Sequence, residues 1–165
     1  MAMKTARDLF QHELLDMYDA EQRITKALPQ MIEEVELPEL KQGFEQHLQQ
    51  TEEHVRRIEE CCRILGIKAE AETCPGMAGL LKEHDTFKKE NPSTEVLELF
   101  LFDAAQKVEH YEIVGYKGLI SLAKQLGETE VADTLQATLK EEETMAKDLE
   151  HLEKSNEKTL VGAAG

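Results

Sequence analysis

The chain has 165 residues, with 19 lysines and arginines against 34 aspartates and glutamates, so its formal net charge is −15 at pH 7. This charge repels nucleic-acid phosphates and anionic lipid, which excludes a general nucleic-acid or membrane-surface binder. Its apolar runs are all well short of the roughly 20 residues that span a bilayer, and its N-terminal segment becomes polar too early for a secretory signal. Its three cysteines include two that are adjacent and form no CxxC motif, and we therefore expect a reduced, cytoplasmic protein.

The composition favours an all-α protein. Only 5% of the residues are aromatic, and there are 9 glycines and 4 prolines, too few for a fold with many tight turns. Apolar residues recur at helical spacing almost throughout the chain and predict four long helices. The first should run from about Thr5 to Val35, with a kink or an early end at Pro29. The second should begin at Pro38 and end near Leu65, where Gly66 can close it in the left-handed conformation.

The segment between the second and third long helices, residues 67–92, contains most of the helix-breaking residues and is long for a simple loop. It has room for a short helix from Met77 to about Lys89. Ser93 or Thr94 should cap the third long helix, which ends at Gly127. The fourth should run from Thr129 to about Asn156.

This order predicts two antiparallel helical hairpins joined by a long crossover that carries a short extra helix. Such a connection is typical of the ferritin-like four-helix bundle. A plain up-down bundle, or a coiled coil that is complete only as a dimer, is the alternative architecture. We expect a single domain over residues 1–160 and a disordered tail over residues 161–165.

Polar residues interrupt the apolar stripes at matching depth in all four long helices. Three helices offer carboxylates and the second offers an imidazole, at Glu21, His54, Glu109, Glu112 and Glu142. Buried carboxylates repel one another and each costs several kcal/mol if it is unpaired. They are stable only if they are protonated, paired with buried cations or bound to a metal. The nearest cations are predicted to face outward, which favours a metal, and these are Lys107, Lys117, Arg56 and Arg57.

Carboxylates with one or two imidazoles suit one or two divalent ions per chain, iron or manganese first and zinc as a further option. A calcium site would use a loop and more oxygen ligands. We interpret His47 as a hydrogen-bond donor to the ligands more than as a ligand, and His110 as such a donor or as an interface residue. The remaining histidines are interpreted as solvent-facing, and these are His12, His84 and His151. Three methionines are interpreted as core residues rather than haem ligands, namely Met17, Met31 and Met77.

Three stretches carry a family resemblance: ARDLFQHELLDMYDAEQRITKAL, AAQKVEHYEIVGYKGLISLAKQLG and TLKEEETMAKDLEHL. Together with the loop CPGMAGLLKE, they closely resemble the YciF/YciE-type ferritin-like proteins, which are small bacterial proteins associated with stress and have no defined function. The resemblance covers nearly the whole chain. It implies a ferritin-like fold, a dimer and a metal site in the bundle, without implying a reaction.

The bundle is also similar to that of rubrerythrin-type di-iron proteins. Four carboxylates match the carboxylate ligands of that pattern: Glu21, Glu109, Glu112 and Glu142. Of the two Glu-x-x-His motifs, His54 is the histidine that remains, because Thr51 stands in place of a bridging glutamate and Met145 in place of the last histidine. The resemblance therefore implies an asymmetric pair of metals, a single metal or weakened binding.

These observations leave three functions open. The first is a metal-dependent oxidoreductase that reacts with peroxide or oxygen, with Tyr18 or Tyr116 as a source of an electron or a hydrogen bond. The second is a non-enzymatic stress protein that stores, buffers or senses metal or binds a partner. The third is a structural dimer with a protonated polar core. The dimer would use apolar residues of the third long helix, unless these receive the crossover: Leu97, Leu99, Phe100 and Phe102.

Overall fold

The computed structural model describes residues 3–165, which form five α-helices and no β-strand. Met1 and Ala2, which the predicted domain included, lie outside the described residues. The helices are α1 (Ala6–Glu34), α2 (Pro38–Leu65), α3 (Pro75–Lys88), α4 (Thr94–Gln125) and α5 (Thr129–Ala164). The predicted all-α class is confirmed, with four long helices and a short one in the crossover.

The helix ends follow the local sequence signals. Thr5 caps α1 through a capping box with Asp8, and the helix continues through Pro29 rather than ending there. Gly66 ends α2 with a φ of 66°, a left-handed conformation that glycine adopts without steric cost. The Ser93 hydroxyl accepts a hydrogen bond from the backbone N–H of Val96 at the start of α4.

The four long helices pack as a square bundle. α1 and α5 each pack closely against both α2 and α4, whereas within residues 3–165 the diagonal pairs α1–α5 and α2–α4 have no Cα atoms within 8 Å of each other and meet only through side chains in the bundle centre. Glu21 lies beside both His54 of α2 and Tyr116 of α4, and contacts on either side show that α1 runs antiparallel to both helices. Consequently α2 and α4 run in the same direction, which requires the long connection. Within that connection α3 packs against α1 and α4.

The structure differs from the prediction at the C-terminus. α5 extends beyond Asn156 to Ala164 and includes most of residues 161–165, the segment expected to be disordered. Leu160 is buried against the hydrophobic core. That contact supplies an apolar anchor for the last turns of the helix, which the sequence pattern did not reveal.

Part of the apolar surface predicted for a dimer instead receives the crossover. Phe100 of α4 stacks on Phe87 of α3, with ring centroids 4.1 Å apart. Phe102 is fully buried, while Leu97 and Leu99 are half-buried against the core. Within residues 3–165, no helix combines the length and apolar character needed to cross a membrane.

Candidate metal centre

The structure brings the five predicted ligand residues together in the middle of the bundle, and each is at most 1% exposed. With His47, which is 3% exposed, they form a cluster of four glutamates and two histidines, which we call the core cluster of acids. It divides into two groups in which one donor atom of each residue lies within 4.8 Å of the others. The groups share one member and consist of His47, Glu109, Glu112 and Glu142, and of Glu21, His54 and Glu142.

Several donor atoms approach closely from different helices. The Nδ1 atom of His54 on α2 lies 2.9 Å from Glu142 Oε1 on α5 and 3.5 Å from Glu21 Oε1 on α1. The Nδ1 atom of His47 lies 3.0 Å from Glu109 Oε1 on α4. The four long helices therefore all contribute, and Glu142 occupies the position between the two groups.

Much of this polar surface has no hydrogen-bond partner. Among residues 3–165, eight buried side-chain nitrogen and oxygen atoms lack one, and all eight belong to the core cluster of acids. Both carboxylate oxygens of Glu109 and both of Glu112 are among them, as is His47 Nε2. Buried polar atoms are normally satisfied, and each unsatisfied one costs about 1–3 kcal/mol. The rest of the core meets this rule, so the exception is confined to one place.

The pKa values of the carboxyl groups reflect this burial. Burial, followed by the charge of Glu142, raises the pKa values of Glu109 and Glu112 well above the usual range. Burial also raises the pKa of Glu21, against the opposing effect of His54. For Glu142, burial acts in the same direction, but the His54 ring, whose Nδ1 lies 2.9 Å from Glu142 Oε1, outweighs it and lowers the pKa.

The two histidines of the cluster differ. Burial alone would lower the pKa of His54, but Glu142 and Glu21 raise it to about 11. Burial lowers the pKa of His47, which keeps its imidazole neutral. A neutral imidazole is the form that binds a metal. His47, interpreted from the sequence mainly as a donor to the ligands, thus lies among the potential ligands with a free Nε2.

No lysine or arginine is buried among residues 3–165. Lys107, Lys117 and Arg56 are exposed as predicted. Arg57 differs from the prediction that it faces outward, because it is half-buried. It donates two hydrogen bonds to Glu141, from Nη1 to Oε2 at 2.6 Å and from Nη2 to Oε1 at 3.1 Å. It does not reach the inner carboxylates, so among the described residues no lysine or arginine offsets their repulsion, and His54 lies close to only Glu21 and Glu142.

Glu141 is a residue that the sequence reasoning missed. Its Oε2 accepts a hydrogen bond from His54 Nε2 at 2.9 Å. This contact turns Nδ1 of the ring towards Glu21 and Glu142. Carboxylates that hold the far nitrogen of a metal-binding histidine orient its ring and raise its basicity. The run of three glutamates was the available signal, but only the structure separates their roles, since Glu143 pairs with Lys117 at the surface.

The two candidate tyrosines are placed differently. Tyr116 is fully buried and its hydroxyl donates to Glu21 Oε1. Burial, followed by the charge of Glu21, raises the pKa of Tyr116 well above its usual value. The Tyr18 hydroxyl instead donates to Glu59 at 2.7 Å, outside the core cluster of acids. Tyr116 is therefore the tyrosine that can act on this cluster.

The two departures from the rubrerythrin pattern are also visible. Thr51 is fully buried, but its hydroxyl donates to the backbone carbonyl of His47 at 2.8 Å. Met145 is buried as an apolar side chain. Neither position supplies a metal ligand of the kind that the pattern requires, and His47, one turn before Thr51, brings an imidazole instead.

The remaining histidines lie away from the cluster. The prediction that His84 faces solvent is wrong, because it is only 4% exposed and its Nε2 donates a hydrogen bond to Glu34 Oε2 at 2.8 Å. His110 is exposed and its Nδ1 donates to the Gln106 carbonyl at 2.8 Å, so it is not part of the core cluster of acids. His12 is half-buried beside Glu72, and His151 is exposed. Three methionines lie in or against the core as predicted, namely Met17, Met31 and Met77.

The donor set fits a divalent transition metal. Four carboxylates and two imidazoles converge without a buried lysine or arginine, and their free oxygen and nitrogen atoms are the ligand types of iron, manganese and zinc. They come from side chains of rigid helices rather than from a loop rich in carbonyl oxygens, which does not match a calcium site. The core cluster of acids could therefore hold a divalent metal ion.

Known proteins match this chain over most of its length. It is 38% identical to protein YciF of Escherichia coli strain K12 over 143 residues, which is 86% of each chain. The crystal structure of that organism's stress protein YciF superposes with a TM-score of 0.89 at 37% identity, covering 93% of this chain and 98% of that one.

Two other solved structures are similar. YcfI of Rhodopseudomonas palustris, whose description proposes a structural role, matches with a TM-score of 0.88 at 39% identity and covers 90% of this chain and 95% of its own. A protein of Xanthomonas campestris shares the fold, with a TM-score of 0.73 at 23% identity, over 96% of this chain and 97% of its own. The model of the family described as a domain of unknown function, DUF892, matches residues 5–160, and the chain belongs to this family.

Proposed function

We propose that this protein binds one or two divalent metal ions, iron or manganese, in the core cluster of acids. The observation that carries the proposal is the confinement of all eight unpartnered buried polar atoms of the described chain to these six residues. Without a metal, burial favours the protonated forms of Glu109 and Glu112, whose pKa values are raised. A divalent ion would instead offset the charge of the carboxylates and bind their free oxygens together.

The proposed ligands are the five residues predicted from the sequence, namely Glu21, His54, Glu109, Glu112 and Glu142. His47 is proposed as a sixth. Glu142 is proposed as the bridge between two ions because it belongs to both groups of donor atoms. Bound iron or manganese would supply redox chemistry towards oxygen or peroxide. Tyr116 holds Glu21 and keeps a proton at its hydroxyl, and Glu141 orients the His54 ring.

The setting of the protein is proposed from its relatives. YciF of Escherichia coli is described as a stress protein, and a role in a stress response is proposed here on that basis. A homodimer and a cytoplasmic location, both expected from the sequence, are also proposed, together with the absence of nucleic-acid and membrane partners that the charge of −15 favours.

A non-enzymatic role is the second candidate. Thr51 and Met145 leave the site without one carboxylate and one imidazole of the di-iron pattern, which favours storage or buffering of metal over turnover. The structural role proposed for YcfI points in the same direction. In this case metal binds but does not accelerate the loss of peroxide or oxygen beyond that seen with free metal.

The test is metal analysis of protein purified without chelator, followed by titration with Fe(II) and Mn(II). We expect tight uptake of about one or two ions per chain, the range that carboxylate sites in helical bundles accommodate. Protein that contains no metal and takes up neither ion would contradict the proposal. Consumption of peroxide or oxygen by the loaded protein, compared with the same amount of free metal, then separates the enzyme from the storage protein.

A further inference from the structure

A small cavity lies beside the core cluster of acids. It has a volume of about 30 Å³, lies between α1, α2, α3 and α4, and is partly open. Two members of the cluster, His47 and Glu109, line its inner end, and most of the other lining side chains are aliphatic or aromatic. Space is left on the α4 side because two successive lining residues are alanines, Ala104 and Ala105.

The cavity adjoins a cleft at the surface between α1 and α3. Four residues line both spaces: Ala27, Met31, Leu81 and His84. These four residues therefore form the wall between the cavity and the cleft. Met31 and Leu81 are half-buried, and methionine in particular changes rotamer easily. A change of rotamer at Met31 or Leu81 would open this wall.

The size and polarity of the cavity restrict what it can hold. A cavity must offer about 10–15 Å³ to take one water molecule, and the aliphatic part of this one, away from His47 and Glu109, offers water no hydrogen bond. The volume of about 30 Å³ therefore accepts one molecule of two heavy atoms. Hydrogen peroxide has that size but would lose its hydrogen bonds to water along apolar walls. An uncharged apolar diatomic molecule loses none.

The charge at the outer cleft argues against a second use as the entry of the metal. Arg23, Lys26 and Asp85 line it, and Arg23 is also paired with Asp19. Because Asp19 and Asp85 balance these two cationic side chains, the mouth has no excess of negative charge to attract a divalent cation, and an uncharged gas needs none. The passage thus selects for neutral, apolar and very small molecules.

We propose that this cavity is a binding site and entry path for dioxygen, which reaches the core cluster of acids at its Glu109 end beneath α3. The inference deepens the proposed function and rests on it for the role of the gas, because dioxygen at this place has a use only if a metal is bound. Binding of an apolar gas in the cavity, however, requires no metal. The two proposals can therefore fail separately.

Xenon, an apolar gas atom with strong anomalous scattering, is the probe for the metal-free protein. We expect crystals pressurised with xenon to show a site between Ala105 and the inner end of the cavity. Ala105→Leu should fill this space and remove the site. Ala78→Leu is the matched control, because Ala78 is a half-buried alanine on α3 that does not line the cavity. If Ala105→Leu does not fold, as judged by its circular dichroism, Ala104→Leu serves in its place.

A wild-type crystal without xenon in the cavity would overturn the proposal, and so would equal xenon occupancy in Ala105→Leu and wild type. A second measurement uses protein loaded with Fe(II). Oxidation of two Fe(II) ions to Fe(III) would supply two electrons, which with two protons from water reduce one dioxygen to hydrogen peroxide. We expect this oxidation to be several-fold slower in Ala105→Leu than in Ala78→Leu, and equal rates would contradict the entry path. Failure of Fe(II) to bind at all would instead refute the metal centre, while the xenon site would still decide the gas cavity.

Discussion

The buried carboxylates of α4 differ in their hydrogen bonding between the start and the middle of the helix. Glu98 near the start of the helix is 3% exposed, and its Oε1 accepts the backbone N–H groups of Glu36 at 2.9 Å and Leu37 at 2.6 Å. Glu109 and Glu112, further along the same helix, are fully buried and accept no hydrogen bond through any of their four oxygens.

The difference shows that burial alone does not identify a metal site. Glu98 satisfies N–H groups at the start of α2 that have no partner within the helix, so its burial stabilises the link between α1 and α2. Glu109 and Glu112 stabilise nothing in the chain by hydrogen bonding. A buried acid without a partner, among others of its kind, is the feature that points to a ligand from outside the chain.

The largest effect is expected for Glu112→Gln, which should weaken metal binding. The substitution keeps the shape of the side chain but removes its charge. Since mutation of a residue that only hydrogen-bonds to a ligand already lowers metal affinity about 10–100-fold, we expect a loss of more than about 100-fold. Titration with Fe(II) or Mn(II) measures it. Glu143→Gln, the same change at a residue paired with Lys117 at the surface, should bind as wild type. Unchanged affinity in Glu112→Gln would remove this carboxylate from the proposed ligand set.

The second prediction concerns the pH dependence of stability in the metal-free protein. Because the folded-state pKa values of Glu109 and Glu112 are raised by burial and by Glu142, the folded chain holds protons that the unfolded chain has lost above the usual value of 4.5. The free energy of unfolding should therefore fall as the pH rises from about 5 to about 8. His54, with its raised pKa, acts in the same direction above its usual value of 6.5.

Urea unfolding in the presence of a chelator measures this slope. Glu112→Gln should reduce it, since one of the titrating groups is gone. Metal should reverse the trend, because ligands must be deprotonated to bind and the stabilisation by metal grows with pH. A metal-free protein whose stability rises over the same range would contradict the electrostatic account of the cluster.

The third prediction tests the other side of the comparison with Glu98→Ala. Two backbone N–H groups would lose their acceptor, so we expect a loss of about 1–3 kcal/mol in the free energy of unfolding. Metal affinity should stay as in wild type. Asp103→Ala on the same helix is the control, since its ion pair with Lys107 is exposed and worth about 0–1 kcal/mol. A change in metal affinity in Glu98→Ala would erase the distinction between the two sets of acids.

The smallest expected effect is that of Glu141→Gln. The glutamine would hold His54 and Arg57 less firmly, and we expect metal affinity to fall by about tenfold, at the low end for residues that orient a ligand. The control is again Glu143→Gln. A spectral comparison of the His54 ring by NMR would show whether its orientation has changed. Affinity equal to that of the control would show that Glu141 serves only the surface ion pair with Arg57.

The sequence allowed much of the cluster to be predicted, because apolar periodicity makes an inward polar residue visible. Glu21 and Glu112 interrupt otherwise regular stripes, and both lie at the centre of the bundle. Glu98 escaped notice although it is also buried, since its partners are backbone N–H groups of a distant link. His84 was wrongly assigned to solvent, because the Glu34 side chain that covers it lies on another helix.

In each of these cases the sequence did not reveal which residues of other helices or links form hydrogen bonds with the side chain. The adjacent residues Glu141, Glu142 and Glu143 have the same composition and local propensity. They differ in that one accepts from His54 and Arg57, one enters the core and one pairs with Lys117. Residues next to each other on a helix point about 100° apart, so which of them faces inward depends on the rotation of α5 against its neighbours.

The sequence by itself determined the helices, their order and the need for a crossover, because the period of the apolar residues and the breaking residues act locally. It also determined that acids and imidazoles lie at similar depth. Only the tertiary structure decided that their oxygens lack partners, that Glu141 rather than Glu143 supports His54, and that an apolar cavity adjoins Glu109. These features depend on the rotation and separation of packed helices, and a few ångströms there decide whether two polar groups form a bond.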